Sequence, residues 1–270
     1  MPTACPALPR ASVFAGCARS ILLALSLAIA GCAPGADADA RLGNTARRDV
    51  APGQAGVNIR LARASRIAGD LASSVQIYRG LAEDRSAAPE LLVEAADCLV
   101  EAGLHDEAIE IYGRVGGTAR PEALRGLVRA HMALGETAPA LKAADAALAL
   151  TPRDARVLVN RGAVLDALQR HPEAQASYRA ALEIAPHSVA ARNNLALSLA
   201  LVGQYDEAIG LMGPLARTAT ATPKIRENLA LIYGLSGDTE RAASTSRVDL
   251  DEIRTAENLA FFARLRGSAP

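Results

Sequence analysis

The chain has 270 residues, of which 50% are hydrophobic and 3% aromatic, and its 29 basic and 29 acidic residues give a formal net charge of zero. Alanine and leucine together make up about a third of it. So few aromatic residues argue against a β-sandwich or barrel, whereas Ala and Leu form helices at little cost. The balanced charge gives no basic footprint for nucleic acid, so we expect no nucleic-acid partner.

An export signal is predicted at residues 1–31. The apolar run 20–30 follows Arg19 and is too short to span a bilayer as a helix, which is typical of a secretory signal. The run ends in Ile-Ala-Gly-Cys at 29–32, which resembles the lipobox of bacterial lipoproteins. The resemblance implies that Cys32 becomes the first mature residue and carries lipid. An ordinary signal peptide with a chance cysteine, or an uncleaved anchor, are the alternatives.

A flexible tether is predicted at residues 32–54. Its only sizeable apolar residues are Leu42 and Val50, so it cannot bury enough surface to offset its chain entropy. Residue 33 is Ala rather than Asp, which by the sorting rule of enterobacterial lipoproteins implies lipid anchoring in the outer membrane, on its periplasmic face. Only Cys98 follows Cys32, so we expect no intramolecular disulfide in the mature chain.

A period of about thirty-four residues runs through 55–256. In segment 155–188, positions 8, 15, 20, 24, 27 and 32 are Gly162, Gln169, Ala174, Tyr178, Ala181 and Pro186. The other segments in this register are 55–88, 89–120, 121–154, 189–222 and 223–256. This spacing resembles the tetratricopeptide repeat (TPR), although Gln169 replaces the usual Gly. The resemblance implies an all-α, right-handed superhelical solenoid of helix–turn–helix units, and an unrelated Ala-rich helical bundle is the alternative.

The spacing also has a physical cause. Small residues at positions 8 and 20 let the two helices of a unit approach closely, and Gly at position 15 supplies the left-handed residue that ends the first helix. Proline at position 32 cannot continue the second helix. A single hairpin cannot bury its apolar face, so stacked copies build one continuous core.

A further amphipathic helix is predicted within 249–270, overlapping the end of the last repeat. Asp249 or Asp251 is expected to cap its start. Its apolar face is expected to consist of Ile253, Leu259, Phe262 and Leu265. We interpret it as a C-terminal capping helix, because a solenoid needs its open end covered.

No catalytic or metal-binding constellation is evident in the sequence. None of the four histidines has a metal-ligand spacing, and His105 and His171 fall in tight turns, where we expect them to be exposed. Cys98 is expected to be buried as a small apolar filler. Arg161, where the repeat usually has Leu, is unexplained beyond packing of its stem along the core edge. We predict no enzymatic activity, no cofactor and no small-molecule substrate.

A peptide-binding groove is predicted along the first helices of the repeats, where the repeat family presents positions 2, 5, 6 and 9. Asn160, Asn194 and Asn228 all stand at position 6 and are predicted to form a ladder of amides able to bond an extended backbone. The other candidate groove residues are Arg125, Arg129, Arg156, Asn193, Lys224 and Glu227. The cations among them are suited to a carboxylate or an acidic segment. Binding by the ends of the array is the alternative.

The forty residues 228–267 suggest a narrower family. The run NLALIYGLSGD at 228–238, followed by a helix ending in NLAFFARLRG at 258–267, resembles the C-terminus of the TadD lipoproteins of Flp/Tad pilus assembly. The resemblance implies a pilotin-like, outer-membrane lipoprotein that binds the pilus secretin or another Tad component. The alternative is a general periplasmic repeat lipoprotein that docks a cell-wall enzyme or outer-membrane assembly machinery.

Overall fold

Residues 52–267, whose backbone the computed structural model describes, form thirteen α-helices and one short 3-10 turn. The predicted signal, Cys32 and most of the tether lie outside these residues. The described residues fall into two compact units, one ending at Val202 and the other beginning at Gly203. No helix between residues 52 and 267 is long and apolar enough to cross a membrane.

The larger unit contains nine helices in its described part. They are α1 (Pro52–Ile67), α2 (Leu71–Ala82), α3 (Pro89–Glu101), α4 (His105–Arg114), α5 (Arg120–Ala133), α6 (Thr137–Leu150), α7 (Ala155–Ala167), α8 (His171–Ile184) and α9 (Val189–Leu201). Each helix packs on the next, and alternate helices α3, α5, α7 and α9 also touch. This pattern of hairpins in contact with their sequence neighbours is that of a helical repeat array, which confirms the predicted all-α fold.

The helices of each hairpin approach closely at small side chains. Ala62 and Ala96 at position 8, and Ala108, Ala140 and Ala174 at position 20, are fully buried. The three tyrosines at position 24, namely Tyr78, Tyr112 and Tyr178, are also fully buried or nearly so. The excess of alanine and the few aromatic residues therefore have fixed places in the core.

Left-handed residues end the first helix of each hairpin, as predicted. Gly69, Gly103 and Gly135 have φ values of 81°, 77° and 75°. Gln169 has φ 59° at the same position and is the only non-glycine residue with positive φ among those described. The unit 155–188 therefore keeps the turn of the other repeats although it lacks the glycine.

The strained turn leads to a prediction. Gln169→Gly is expected to raise the free energy of unfolding by about 1 kcal/mol. A left-handed backbone costs an L-residue roughly 1–2 kcal/mol, and glycine avoids this cost. Part of the gain is offset because glycine gives the unfolded chain more conformational entropy. Gln169 is exposed, so the change removes no buried contact. Urea unfolding followed by far-UV circular dichroism measures it, since the chain has no Trp. The reciprocal Gly135→Gln should be destabilising, and an unchanged midpoint for Gln169→Gly would contradict the argument.

The smaller unit contains α10 (Tyr205–Ala216), α11 (Pro223–Ser236), α12 (Thr239–Ser246) and α13 (Glu252–Gly267). Helices α11 and α12 form a hairpin through Gly237 in the left-handed conformation, and α13 packs against both of them. A Cβ atom added at Gly234 would lie 2.5 Å from the Phe262 ring, so glycine at 234 is what lets α13 come this close to α11.

The predicted terminal helix exists, with one error in its buried face. Asp251 caps it, accepting the backbone N–H of Arg254 at 2.8 Å, while Asp249 instead pairs with Arg226. Phe262 is buried as predicted, but Ile253 is 74% exposed, which makes that assignment wrong. Residues 253 and 262 are nine apart, which is half a turn out of phase in an α-helix. Thr255 occupies the inward position instead.

Candidate protein-binding groove

A groove of about 390 Å³ lies between α11 and α13 in the smaller unit. It is lined by Lys224, Glu227, Asn228, Leu231, Leu250, Arg254, Glu257, Asn258, Phe261 and Phe262. Three of the sequence-predicted residues, Lys224, Glu227 and Asn228, therefore come together in one place. The remaining polar residues belong to α13, which the sequence analysis treated only as a cap.

The two walls of this groove carry the same sequence of side-chain types. Positions 2, 5, 6 and 9 of α11 are Lys224, Glu227, Asn228 and Leu231. At a constant offset of thirty residues, α13 supplies Arg254, Glu257, Asn258 and Phe261. Each wall thus presents a cation, a carboxylate, an amide and an apolar side chain in that order. The repeated Glu-Asn-Leu-Ala at 227–230 and 257–260 is the sequence signal that would have revealed the second wall.

Contacts at the start of α11 hold this wall in place. The hydroxyl oxygen of Thr222 accepts the backbone N–H of Ile225 at 3.4 Å and caps the helix. Arg226 donates to both carboxylate oxygens of Asp249, each at 2.6 Å, and so ties α11 to the segment leading into α13. This guanidinium also lowers the pKa of Asp249. The geometry of the groove therefore rests on residues next to it as well as on its own lining.

The charges of the α11 wall are only partly neutralised. Lys224 Nζ lies 3.6 Å from Glu227 Oε2, and both side chains are nearly half exposed. Asn228 is buried, with 6% of its surface exposed, whereas Asn258 on the opposite wall is half-buried. The groove therefore has one half-buried amide, Asn258, and one buried amide, Asn228, next to solvent-accessible charges, with Leu231 and Phe261 at the other end.

The predicted groove cations of the larger unit are engaged in ion pairs. Arg125 lies 3.3 Å from Asp154, and Arg156 lies 3.1 Å from the same carboxylate. Arg129 pairs with Asp97. These ion pairs neutralise much of the positive charge that was expected to attract an acidic ligand.

The predicted asparagines are divided between the two units. Asn160 and Asn194 belong to the larger unit and are half-buried, and Asn194 Oδ1 accepts a hydrogen bond from Asn193 Nδ2 at 3.1 Å. Asn228 lies in the smaller unit, on the wall of the α11–α13 groove. The ladder of three amides stays a prediction.

A buried carboxylate in the larger unit escaped the sequence analysis. Asp166 in α7 is 3% exposed and accepts hydrogen bonds from Ser198 Oγ at 2.7 Å and Tyr178 Oη at 2.9 Å. Its Oδ1 lies 2.8 Å from Nδ1 of His171. His171 is half-buried rather than exposed as predicted, because it begins α8 over this carboxylate. Burial raises the pKa of Asp166.

Asp166 was missed because its three partners come from two other helices. Only the fold brings positions 171, 178 and 198 to one point, and each looks unremarkable in its own segment. The cluster joins α7, α8 and α9, and Asp166, Tyr178 and Ser198 are each at most 3% exposed. We therefore assign it a structural role.

The other two tyrosines at position 24 also donate their hydroxyls to carboxylates. Tyr78 donates to Glu94 and Tyr112 to Asp97, each at 2.5 Å. Burial raises the pKa of each of these tyrosines, and the hydrogen bond from Arg63 lowers the pKa of Glu94. Each tyrosine at position 24 is therefore hydrogen-bonded to a carboxylate on the first helix of a repeat. The repeat spacing alone did not predict this pairing.

Two residues left open by the sequence are explained by their neighbours. Arg161 donates through Nε to Asp145 at 2.7 Å and through Nη1 to Ser177 at 3.0 Å, so it bridges α6 and α8. Cys98 is fully buried as expected, with its Sγ 3.3 Å from Ser74 Oγ. Between residues 55 and 267, no three His, Cys, Asp or Glu side chains converge on a possible metal site.

Comparison with known proteins agrees with this architecture. Residues 125–189 and 165–222 match the family model of the tetratricopeptide repeat. An uncharacterized protein of Sinorhizobium fredii is 34% identical over 107 residues, which are 40% of this chain and 56% of that protein. The match thus spans little more than half of that relative.

Solved structures share the fold. A thermophilic TPR protein of Thermus thermophilus is 23% identical with a TM-score of 0.54, covering 65% of this chain and 98% of its own. A tetratricopeptide repeat protein of Parabacteroides merdae is 21% identical with a TM-score of 0.62, covering 80% of this chain and 93% of its own. Proteins of this kind are generally scaffolds that bind other proteins. With its hairpins, its buried alanines and its glycine turns, the described part of the chain has the fold of a tetratricopeptide-repeat solenoid.

Proposed function

We propose that this protein is a non-enzymatic adaptor of Flp/Tad pilus assembly, anchored in the outer membrane through lipid on Cys32, that binds an extended segment of the pilus secretin. The observation that carries the binding role is the repeated set of side chains on the two walls of the α11–α13 groove. The lipobox at 29–32 and the C-terminal resemblance to TadD proteins support the location and the pathway.

The groove suits an extended peptide that crosses both helices. Packed helices lie about 8–10 Å apart, and an extended chain rises about 3.3 Å per residue. Two ligand residues about three positions apart can therefore contact the two walls, one on each. Asn228 and Asn258 are placed to bond main-chain groups of such a segment, since an amide both donates and accepts. Leu231 and Phe261 then accept an apolar ligand side chain at one end.

The first test measures binding directly. Overlapping peptides spanning the host's pilus secretin are titrated against the purified chain, and at least one is expected to bind. The double change Asn228→Ala and Asn258→Ala is expected to weaken that peptide roughly thirtyfold, because two hydrogen bonds of about 1 kcal/mol each are lost. Glu240→Ala, an exposed change on α12 outside the groove, is the matched control. Equal binding by the double variant, with unchanged circular dichroism, would reject the groove as the site.

The second arm tests the pilotin role in cells. In a strain lacking this chain, secretin multimers in the outer membrane and surface pili are expected to be lost and to return with the unaltered gene. Cys32→Ser is expected to abolish lipid labelling and to release the protein from membranes. Secretin multimers that persist without the chain would favour the alternative, a general periplasmic adaptor for a cell-wall enzyme or assembly machinery. Genes for a secretin and a pilin beside this one would favour the first proposal.

A further inference from the structure

The face of α1 that carries positions 3 and 7 of its repeat differs from the same face of α5 and α9, which are the first helices of later repeats. Positions 3 and 7 are Ala123 and Leu127 in α5 and Ala191 and Leu195 in α9, and all four are less than one-tenth exposed. The preceding helix, α4 or α8, packs against each of these two helices. The equivalent residues of α1, Val57 and Leu61, are 51% and 53% exposed. Helix α1 therefore presents one half of a repeat-to-repeat interface.

The exposed face of α1 has the spacing of a helix-pairing seam. Val57, Leu61 and Ala64 in α1, together with Ala68 in the turn directly after it, are all exposed and follow each other at intervals of four, three and four residues. This 4-3-4 spacing keeps a stripe facing one partner helix along its length. The large side chains lie in the first half of the stripe and the small ones in the second half.

We propose that the α1 stripe, meaning Val57, Leu61, Ala64 and Ala68, pairs antiparallel with the α1 stripe of a second copy of this chain in a two-fold symmetric dimer. In that arrangement Val57 lies opposite Ala68 of the second copy, and Leu61 lies opposite Ala64. Each large side chain thus meets a small one, which makes the face complementary to itself, as a two-fold interface requires.

The charges next to the stripe permit this pairing. Arg63 pairs with Glu94 at 2.7 Å, and Arg66 pairs with Glu101, so both cations of the inner edge are neutralised within their own copy. Arg60 is exposed and, in the antiparallel register, lies opposite Ser65 of the second copy. No pair of like charges faces another across the seam.

The predicted tether offers a poor substitute for the second copy. Residues 32–54 contain only Leu42 and Val50 as sizeable apolar residues, so they cannot supply a second apolar stripe. A single helix pair is small beside the roughly 800 Å² per partner of a stable interface. The dimer is therefore weak and depends on concentration, and two copies tethered at their N-termini to one surface would meet readily.

Sedimentation equilibrium of the full chain carrying Cys32→Ser tests the dimer. The mean mass is expected to rise toward twice the monomer mass with increasing concentration. Leu61→Asp is expected to keep the chain monomeric, because two carboxylates would be buried together. Leu150→Asp changes an equally exposed leucine at the end of α6 and is expected to associate like the parent. A parent that stays monomeric at the highest concentration reached, or a Leu61→Asp variant that associates as the parent does, would overturn the proposal.

Disulfide trapping tests the register. In a chain carrying Cys5→Ser, Cys17→Ser and Cys32→Ser, the pair Leu61→Cys and Ala64→Cys is expected to form covalent dimers under mild oxidation, whereas Leu150→Cys is not. Trapping by both chains to the same extent would reject the specific pairing. Monomers in which Cys at position 61 resists thiol reagents would show that another segment of the same chain covers α1, and would also reject the dimer.

Discussion

Replacing Asp166 with Ala is expected to lower the free energy of unfolding by about 3–5 kcal/mol, one of the largest single-residue effects available in this chain. The change leaves the hydroxyls of Tyr178 and Ser198, which are at most 1% exposed, without their acceptor, and it opens a cavity among three helices. Urea unfolding measured by far-UV circular dichroism gives the loss. Asp145→Ala removes a carboxylate that is 52% exposed and also hydrogen-bonded, so it should cost less than about 1 kcal/mol.

The protonation of Asp166 adds a second readout. Because burial raises its pKa, the folded chain holds this proton more tightly than the unfolded chain does. Its contribution to stability is therefore greatest at low pH and declines as the pH rises from about 4 through the raised pKa. Carboxylates with lowered pKa, such as Glu94 and Asp249, act in the opposite direction. The difference in stability between the parent and Asp166→Asn should narrow with rising pH, and a widening difference would contradict the assignment.

Replacing Gly162 with Ala is expected to destabilise the larger unit by about 1–3 kcal/mol, although Ala is the better helix former. A Cβ atom at 162 would lie 2.4 Å from the Tyr178 ring, which is 1% exposed and fixed through its hydroxyl to Asp166. The ring has no room to withdraw, so the surrounding helices must shift. Unfolding midpoints for the single variants give the size of the effect.

The matched control for this prediction is a Gly→Ala change that is expected to stabilise the chain instead of destabilising it. Gly113 lies in α4 with nothing within 4 Å of an added Cβ atom, so Gly113→Ala should stabilise the chain by up to about 1 kcal/mol. In the Tyr178→Leu background, Gly162→Ala should cost less than in the parent, since the two side chains compete for one space. Equal costs in both backgrounds would show that the contact is not the cause.

The sequence predicted the repeated parts of this fold because they depend on local spacing. Small residues at positions 8 and 20 and glycines at position 15 recur in nearly every segment, and the structure gives them the expected burial and backbone conformation. Gln169 was noticed as a departure, but its left-handed conformation could be known only from the structure. Ile253 was placed on the wrong side of its helix, because a few apolar residues near a helix start fit more than one face.

Features that depend on contacts between distant residues could not be predicted in the same way. The Asp166 cluster draws on positions 171, 178 and 198, which share no motif. The second wall of the groove was missed for a different reason, since a helix interpreted as a cap was not searched for the groove positions of a repeat. Comparing 227–230 with 257–260 would have found Asn258 from the sequence alone.

The repetition on the two walls of the groove has a consequence for how a ligand settles. Because α11 and α13 offer the same order of cation, carboxylate, amide and apolar group, a ligand side chain that fits one wall meets nearly the same chemistry on the other wall. Such a ligand has two binding frames of similar energy, and their degeneracy lowers the entropy lost on binding. The walls differ in Leu231 against Phe261 and in the burial of their amides, since Asn228 is 6% exposed and Asn258 is half-buried, so these two differences set the preferred frame. A bulky apolar residue in the ligand would fix its alignment, while polar stretches could slide between frames without leaving the protein.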